Sequence, residues 1–326
     1  MRAVVITKYG DPDVLSIKEV EKPTPKHDEI LVKVRATSLN RADLMQRRGL
    51  YPDPFPGSHD IPGLEFSGTV ESCGDLVTTW KEGDEVMGIV SGGAYAEYLV
   101  VPAMQAIAVP QNIGLANSAA IPEVFITAWD ALVCQANLQA GQWALVHAGA
   151  SGVGTAAIQI CKAIGAYVVV TCSAGKRDAC LALGADLALD YQTADFVEVA
   201  MQATKGKGVN AVLDVIGGEY LNRNVSALAL KGTIVQVGLM GGGSTAFNIG
   251  ALMPKRARLM GTVLRPRPAD EKIAVTQRFI AEMMPLFAVG KLRPVIDRRF
   301  GLDQIVEAHQ LMESNANTGK IVIDVC

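Results

Sequence analysis

Past residue 143 the chain falls into short aliphatic or β-branched runs, separated by segments whose apolar positions recur every three to four residues. Ala144 to Val146, Tyr167 to Thr171, Leu187 to Leu189, Val209 to Ile216, Thr233 to Val237 and Leu259 to Val263 make up the first set. They are short and almost free of charge, as strands covered on both faces must be. Ile158 to Ile164, Lys176 to Leu183, Phe196 to Ala203 and Tyr220 to Leu230 carry helical spacing. Regular alternation of the two predicts six parallel strands with crossovers, a doubly wound α/β domain of the Rossmann type.

Between the first strand and the first helix lies His147-Ala148-Gly149-Ala150-Ser151-Gly152-Val153-Gly154-Thr155. Small residues at this junction let a pyrophosphate approach the backbone, and the helix that follows points its N-terminal amides and positive dipole end at the anion. Ser151 stands where the usual fingerprint has its second glycine. After the second strand, an acidic residue would grip the adenosine ribose of NAD. Cys172-Ser173-Ala174-Gly175-Lys176-Arg177 has none. It offers a hydroxyl, backbone amides and two cations, which suits a ribose 2′-phosphate and predicts NADPH. The alternative is that Lys176 and Arg177 only solvate a helix start, where uncompensated cations are disfavoured.

The first 122 residues are patterned differently, with an alternating strand over Glu29 to Ala36 and a proline-rich loop around Tyr51. The nucleotide domain is expected over 123–266, opening with a helix from Ile126 to Val133 and closing at Pro266 and Pro268. The remainder, 267–326, is expected to return to the first domain. It reads as a helix from Glu271 to Phe287, a capped helix over Leu302 to His309 and a last strand from Ile321 to Val325. Binding is expected in the cleft between two such domains.

Charge narrows the partners: 30 basic against 33 acidic residues give −3, leaving no basic surface for nucleic acid or anionic lipid. No apolar run is long enough for a membrane span, the N-terminus is too quickly polar for a signal peptide, and the six scattered cysteines suit a reducing cytoplasm. They include no C-x-x-C pair, and no histidine has a serine and an acid at a triad spacing. The apolar sixth strand, Arg258 to Val263, would leave a bare sheet edge, and pairing it across a two-fold axis predicts a homodimer.

Several longer motifs carry a family resemblance: Asn40-Arg41-Ala42-Asp43-Leu44-Met45-Gln46-Arg47, Pro62-Gly63-Leu64-Glu65-Phe66, Ala119-Ala120-Ile121-Pro122-Glu123, Gly238-Leu239-Met240-Gly241 and Thr318-Gly319-Lys320-Ile321-Val322. With the Ser151-Gly152-Val153-Gly154 turn, the chain resembles the medium-chain dehydrogenases/reductases over its whole length. Zinc alcohol dehydrogenases of that superfamily have a cysteine where Asn40 stands and a histidine where Leu64 stands. Both metal ligands are missing here, so the resemblance narrows to the zinc-independent quinone oxidoreductases, and within them to the tumour-suppressor-induced type.

That resemblance implies a mainly β, GroES-like catalytic domain beside the Rossmann domain, and hydride transfer from NADPH to a quinone. It places Asn40, Tyr51 and Thr127 beside nicotinamide and substrate, and Ser151, Gly152 and Val153 on the pyrophosphate. Ser173, Lys176 and Tyr191 fall around the adenosine phosphate, with Leu239, Met240 and Leu264 along the nicotinamide side. The Asn40 amide and Tyr51 hydroxyl are neutral donors suited to the oxyanion of a reduced quinone, although Tyr51 could equally pack beneath its loop. Asp43 is expected to cap a helix and Glu65 to be structural. Two other readings share the architecture: an NADPH-dependent enoyl-thioester reductase, and a dinucleotide-binding protein of crystallin-like structural or regulatory role.

Overall fold

The computed structural model describes residues 1–55, 57 and 59–326; Pro56, in the proline-rich loop expected around Tyr51, lies outside the described residues. The chain begins with β1 (Arg2–Ile6), β2 (Leu15–Glu19), β3 (Glu29–Ser38), β4 (Glu65–Cys73), β5 (Glu85–Ile89), β6 (Tyr98–Pro102) and β7 (Ile107–Ala108). It continues through β8 (Trp143–Val146), β9 (Tyr167–Cys172), β10 (Leu187–Asp190), β11 (Val209–Asp214), β12 (Leu228–Gln236) and β13 (Arg258–Gly261), and ends with β14 (Ile296–Gly301) and β15 (Lys320–Asp324). Two compact units result, one of Met1–Ile126 with Leu264–Cys326 and the other of Thr127–Val263.

The second unit holds a six-stranded sheet in the order β10-β9-β8-β11-β12-β13, parallel throughout. This is the doubly wound order that reverses beside the first strand, and it puts the strands' carboxyl ends on one edge. Leu145, Val169, Val212 and Ile234 pack with Phe196 and Val225 of the crossover helices into a dry core. One helix is shorter than its pattern predicts. Tyr220–Ala227 stops because Leu228 turns extended and pairs with Val209, so Leu228 to Leu230 open β12 instead. Ahead of the sheet, the expected Ile126 to Val133 helix begins earlier, at Pro122, whose fixed φ suits a first helical position. It then widens into a π-helical turn over Asp130–Gln135, within which Gln135 Nε2 donates to Asp130 Oδ1 at 3.0 Å.

The first unit is built on a mainly antiparallel sheet in the order β14-β15-β3-β4-β5-β7, with β6 also on β3. Its core gathers Val32, Val34, Phe66, Val70, Val86 and Tyr95 with Leu302, Ile305, Ile321 and Ile323 from the chain's end. Strand β15 lies antiparallel to β3, Val322 opposite Ser38. That register carries Lys320 to the end of β3, where Asn40 begins the Arg41–Arg47 helix. No helix among the described residues is long and apolar enough to cross a membrane.

Candidate functional site

In the second unit the candidate residues gather on the carboxyl edge of the sheet. The strand-to-helix turn is so tight that a Cβ on Gly149 would come within 2.5 Å of Val170 Cβ, and one on Gly154 within 2.3 Å of the Ala148 carbonyl oxygen. Ala148 itself takes a left-handed φ of 54°. Ser151 caps the Gly152–Ala163 helix, its Oγ accepting from Gly154 N at 3.0 Å. The serine thus fixes the turn from within, while Gly152 and Val153 fall in the first helical turn, whose amides have no intrahelical carbonyl.

A buried polar chain braces this turn from below. His147 Nδ1 meets Thr171 Oγ1 at 3.0 Å, His147 Nε2 meets Asn224 Oδ1 at 2.7 Å, and Asn224 Nδ2 donates to Asp214 Oδ2 at 2.9 Å. Asp214 Oδ1 accepts the Ile216 and Gly217 amides. Burial holds the His147 ring below its ordinary pKa, so it is a neutral spacer with both nitrogens satisfied.

At the end of β9, Ser173 and Lys176 flank a 3-10 turn closed by Lys176 N donating to Ser173 O at 2.9 Å. Tyr191 joins them, its amide donating to Cys172 O at 3.1 Å while the residue stays 49% exposed. Arg177 follows in the next helix, its Nε donating to the Ala188 carbonyl at 2.9 Å. Leu239 and Met240 follow β12 at the same edge, 58% and 49% exposed.

The first unit brings together a different set. Lys320 is 3% exposed and Glu65 0%, and their charges lie 2.8 Å apart. Lys320 Nζ also donates to Asn40 Oδ1 at 2.7 Å and to the Leu39 carbonyl at 2.5 Å. Asn40 Nδ2 donates to Glu65 Oε1 at 2.9 Å and, by a longer bond of 3.3 Å, to the Ser38 carbonyl. Asp43 caps its helix by accepting Asn40 N at 2.8 Å and also accepts the Tyr95 hydroxyl at 2.9 Å; burial pushes its carboxyl up to about 6.

Glu65 Oε2 accepts the Glu123 amide at 2.9 Å. The Glu123 carboxyl is driven up to about 8, first by burial and then by the Glu65 charge. Tyr51 lies under the Arg265 guanidinium, 5.0 Å from ring centroid to Cζ, and its carbonyl accepts Arg265 Nη1 at 2.7 Å. Arg265 Nη2 donates to Gln46 Oε1 at 2.7 Å, and Lys272 donates to Ser91 Oγ. The Tyr51 hydroxyl has no hydrogen-bond partner among the described residues. Its pKa is raised by burial, with Glu123 adding to the shift. Thr127 is nearly buried on the Pro122–Trp129 helix, and Leu264 is buried in the first unit.

Two family models match the chain: an "Alcohol dehydrogenase GroES-like domain" over residues 26–111 and a "Zinc-binding dehydrogenase" over 183–323. The "Synaptic vesicle membrane protein VAT-1 homolog" of Danio rerio is 31% identical, covering 99% of this chain and 69% of that protein. The "Quinone oxidoreductase" of Lama guanicoe is 30% identical, covering 99% and 97%. The chain belongs to the quinone oxidoreductase family of the medium-chain dehydrogenases/reductases. Among solved structures, the Escherichia coli quinone oxidoreductase complexed with NADPH superposes with a TM-score of 0.88 at 28% identity over the full length of both chains. The CurK enoyl reductase does so with 0.87 at 26%, covering 99% and 98%. Fold and relatives together make this chain an NAD(P)H-dependent oxidoreductase.

The donors present do not fit the zinc that one family description names. Leu64 is buried apolar core, the Asn40 amide oxygen already accepts from an ammonium, and Glu65 is paired with that same ammonium. Among the described residues no group of three or more His, Cys, Asp or Glu side chains could hold a metal. A dinucleotide does fit, because the turn packs too tightly for side chains at Gly149 and Gly154 and leads into a Ser151-capped helix whose first amides have no intrahelical carbonyl. Sequence patterns alone missed Lys320, Glu123, Arg265 and Lys272. Only Lys320 gave a signal, a lone cation leading an apolar strand.

Proposed function

We propose that this protein is a zinc-independent NADPH:quinone reductase. The observation that carries the reading is the pair of donor sets: Ser173 and Lys176 with no carboxylate at the end of β9, and the neutral donors Asn40, which stands where zinc relatives carry a metal ligand, and Tyr51. Residues 123–266 are proposed as the NADPH domain, with 1–122 and 267–326 as the catalytic domain. Ser151, Gly152 and Val153 would hold the pyrophosphate, and Ser173, Lys176 and Tyr191 the ribose phosphate. Thr127, Leu239, Met240 and Leu264 would line the nicotinamide side.

Nicotinamide, when bound, supplies the hydride; the chain's part is positioning and charge. A quinone that accepts hydride gathers negative charge on oxygen. The unpartnered Tyr51 hydroxyl is suited to donate to that oxygen, with the Arg265 guanidinium beside its ring favouring the charge. Asn40 supplies a second donor by exchanging its long bond to the Ser38 carbonyl, and Lys320 keeps its amide facing the right way. Glu123, protonated near neutral pH, is placed to hold a proton close to Tyr51.

NADPH oxidation against a panel of quinones and 2-enoyl thioesters tests the assignment, with a chelator control. Turnover of quinones that survives chelation is expected. Saturation of enoyl thioesters in preference to quinones would make the chain an enoyl reductase, and tight NADPH binding without turnover would leave a binding protein.

A further inference from the structure

A cavity of about 670 Å³ opens at the amino ends of the neighbouring strands β8, β11 and β12. This is the edge of the parallel sheet opposite the one that carries the residues proposed for the cofactor. Trp143, which opens β8, lines it together with Gln142, Asn210 and Leu230, and the 205–208 loop adds Lys205 and Lys207. Its size is that of a small-molecule site.

The side chains around it have their acceptors engaged and their donors free. Asn210 Oδ1 accepts Trp143 N at 3.1 Å, and Gln142 Oε1 accepts Gln139 N at 3.0 Å. A backbone N–H in each case settles which amide atom is the oxygen, so both NH2 groups are left over. Neither has a partner among the described residues, nor do the Trp143 indole N–H and the ammonium groups of Lys205 and Lys207. Thr204 Oγ1 donates to the Ala200 carbonyl at 2.7 Å and accepts Gly208 N at 2.8 Å, which ties the loop down. No aspartate or glutamate lines the cavity. The carbonyl end of the Phe196–Ala203 helix contributes about half a negative charge, which two ammonium groups exceed. Tyr167 stacks on the indole, centroids 4.8 Å apart and planes at 20°, and so holds Trp143 in place.

We propose that this cavity binds a small aromatic phosphomonoester, with its ring against Trp143 and Leu230 and its phosphate between Lys205 and Lys207. A phosphomonoester brings about two negative charges and three acceptor oxygens, which match two lysines and a set of N–H donors that have no acceptor of their own. A neutral ring would leave those donors unanswered, and a bare phosphate would leave the indole and Leu230 uncovered. The site lies in the second unit alone and does not rest on the choice of NADPH or of quinone.

Calorimetric titration of the full-length protein with 2-naphthyl phosphate tests the site. Saturable binding is expected, with 2-naphthol, which lacks the charge, and inorganic phosphate, which lacks the ring, each at least about tenfold weaker. Lys205→Met with Lys207→Met should weaken the probe by about tenfold or more and leave quinone turnover and NADPH affinity at parental values. Asn210→Asp keeps an acceptor for the Trp143 amide but replaces a donor with a negative charge, and it should weaken the probe as well. Lys176→Ala, at the other edge of the sheet, should not. Parental affinity in the double lysine variant, or loss of binding in Lys176→Ala instead, would overturn the site. Equal affinity for 2-naphthol would overturn the anion, and equal affinity for inorganic phosphate would overturn the ring.

Discussion

Lys320 donates to the amide oxygen of Asn40 at 2.7 Å, although the two residues lie at opposite ends of the chain. The same ammonium neutralises the buried Glu65 carboxylate, so one cation sets an amide's orientation and makes a buried negative charge tolerable. Removing one partner of a buried pair leaves the other uncompensated and costs about 3–5 kcal/mol. Lys320→Met should therefore lower the unfolding midpoint sharply, and Lys320→Met with Glu65→Gln should recover much of the loss. A Lys320→Met protein as stable as the parent in thermal denaturation would show that Glu65 finds other compensation.

Glu123 gives stability a definite pH dependence. In the folded state its carboxyl keeps a proton up to about 8, whereas its unperturbed value is 4.5. Between those values the folded state binds more protons than the unfolded, so this group's contribution falls as pH rises across the interval. Asp43, raised from 3.8 to about 6, acts in the same sense over a lower interval. Glu123→Gln removes the first dependence. Its midpoint should exceed the parent's at about pH 8 and converge with it near about pH 5. Parallel curves across that range would mean the carboxyl is ionised throughout.

The Rossmann half of the fold was legible because its strands are uninterrupted apolar runs, each following a segment of helical spacing. The Tyr220–Ala227 helix ended three residues short of its pattern, since Leu228 gains more by pairing with Val209 than by extending a helix. The first unit's site was legible in part. Asn40 and Tyr51 stood out by their local context, and the pairing of β15 with β3 that delivers Lys320 is long-range, with no local signature. Arg265 reads in sequence as a loop cation before two prolines. Only the fold shows it bound to the Tyr51 carbonyl, Gln46 and Ser91.

Cofactor choice should depend on Lys176. A charge-assisted contact is worth about 1.5–3 kcal/mol, so Lys176→Ala should weaken NADPH by about tenfold or more while NADH changes little. Fluorescence titration with both cofactors reads this directly. Equal losses would confine Lys176 to supporting the turn.

Strand β13 pairs with β12 on one side and ends the sheet on the other, with Leu259 43% exposed. An apolar edge of this kind invites pairing with a second copy. We expect a dimer by light scattering at micromolar concentration, shifted toward monomer by Leu259→Lys. A monomeric parent protein would contradict the expectation.

Asn40 and Tyr51 should act on the acceptor. Both belong to the first unit, linked through Glu65 and Glu123, while the residues proposed for the phosphates lie on the sheet edge of the second. A neutral donor aimed at a developing oxyanion works mainly in the transition state, so its loss lowers turnover rather than cofactor affinity. Tyr51→Phe removes the unpartnered hydroxyl and keeps the ring beneath Arg265, which separates hydrogen bonding from packing. Asn40→Ala also strips an acceptor from Lys320, so it should cost stability as well as rate. Expected losses of turnover are about tenfold for each, at the low end of the range for such donors because quinones are readily reduced. Steady-state kinetics beside direct NADPH titration decides the matter. If both variants turned over quinone at the parental rate, the donors for the quinone oxygen would have to be sought among the buried cations Arg265 and Lys272.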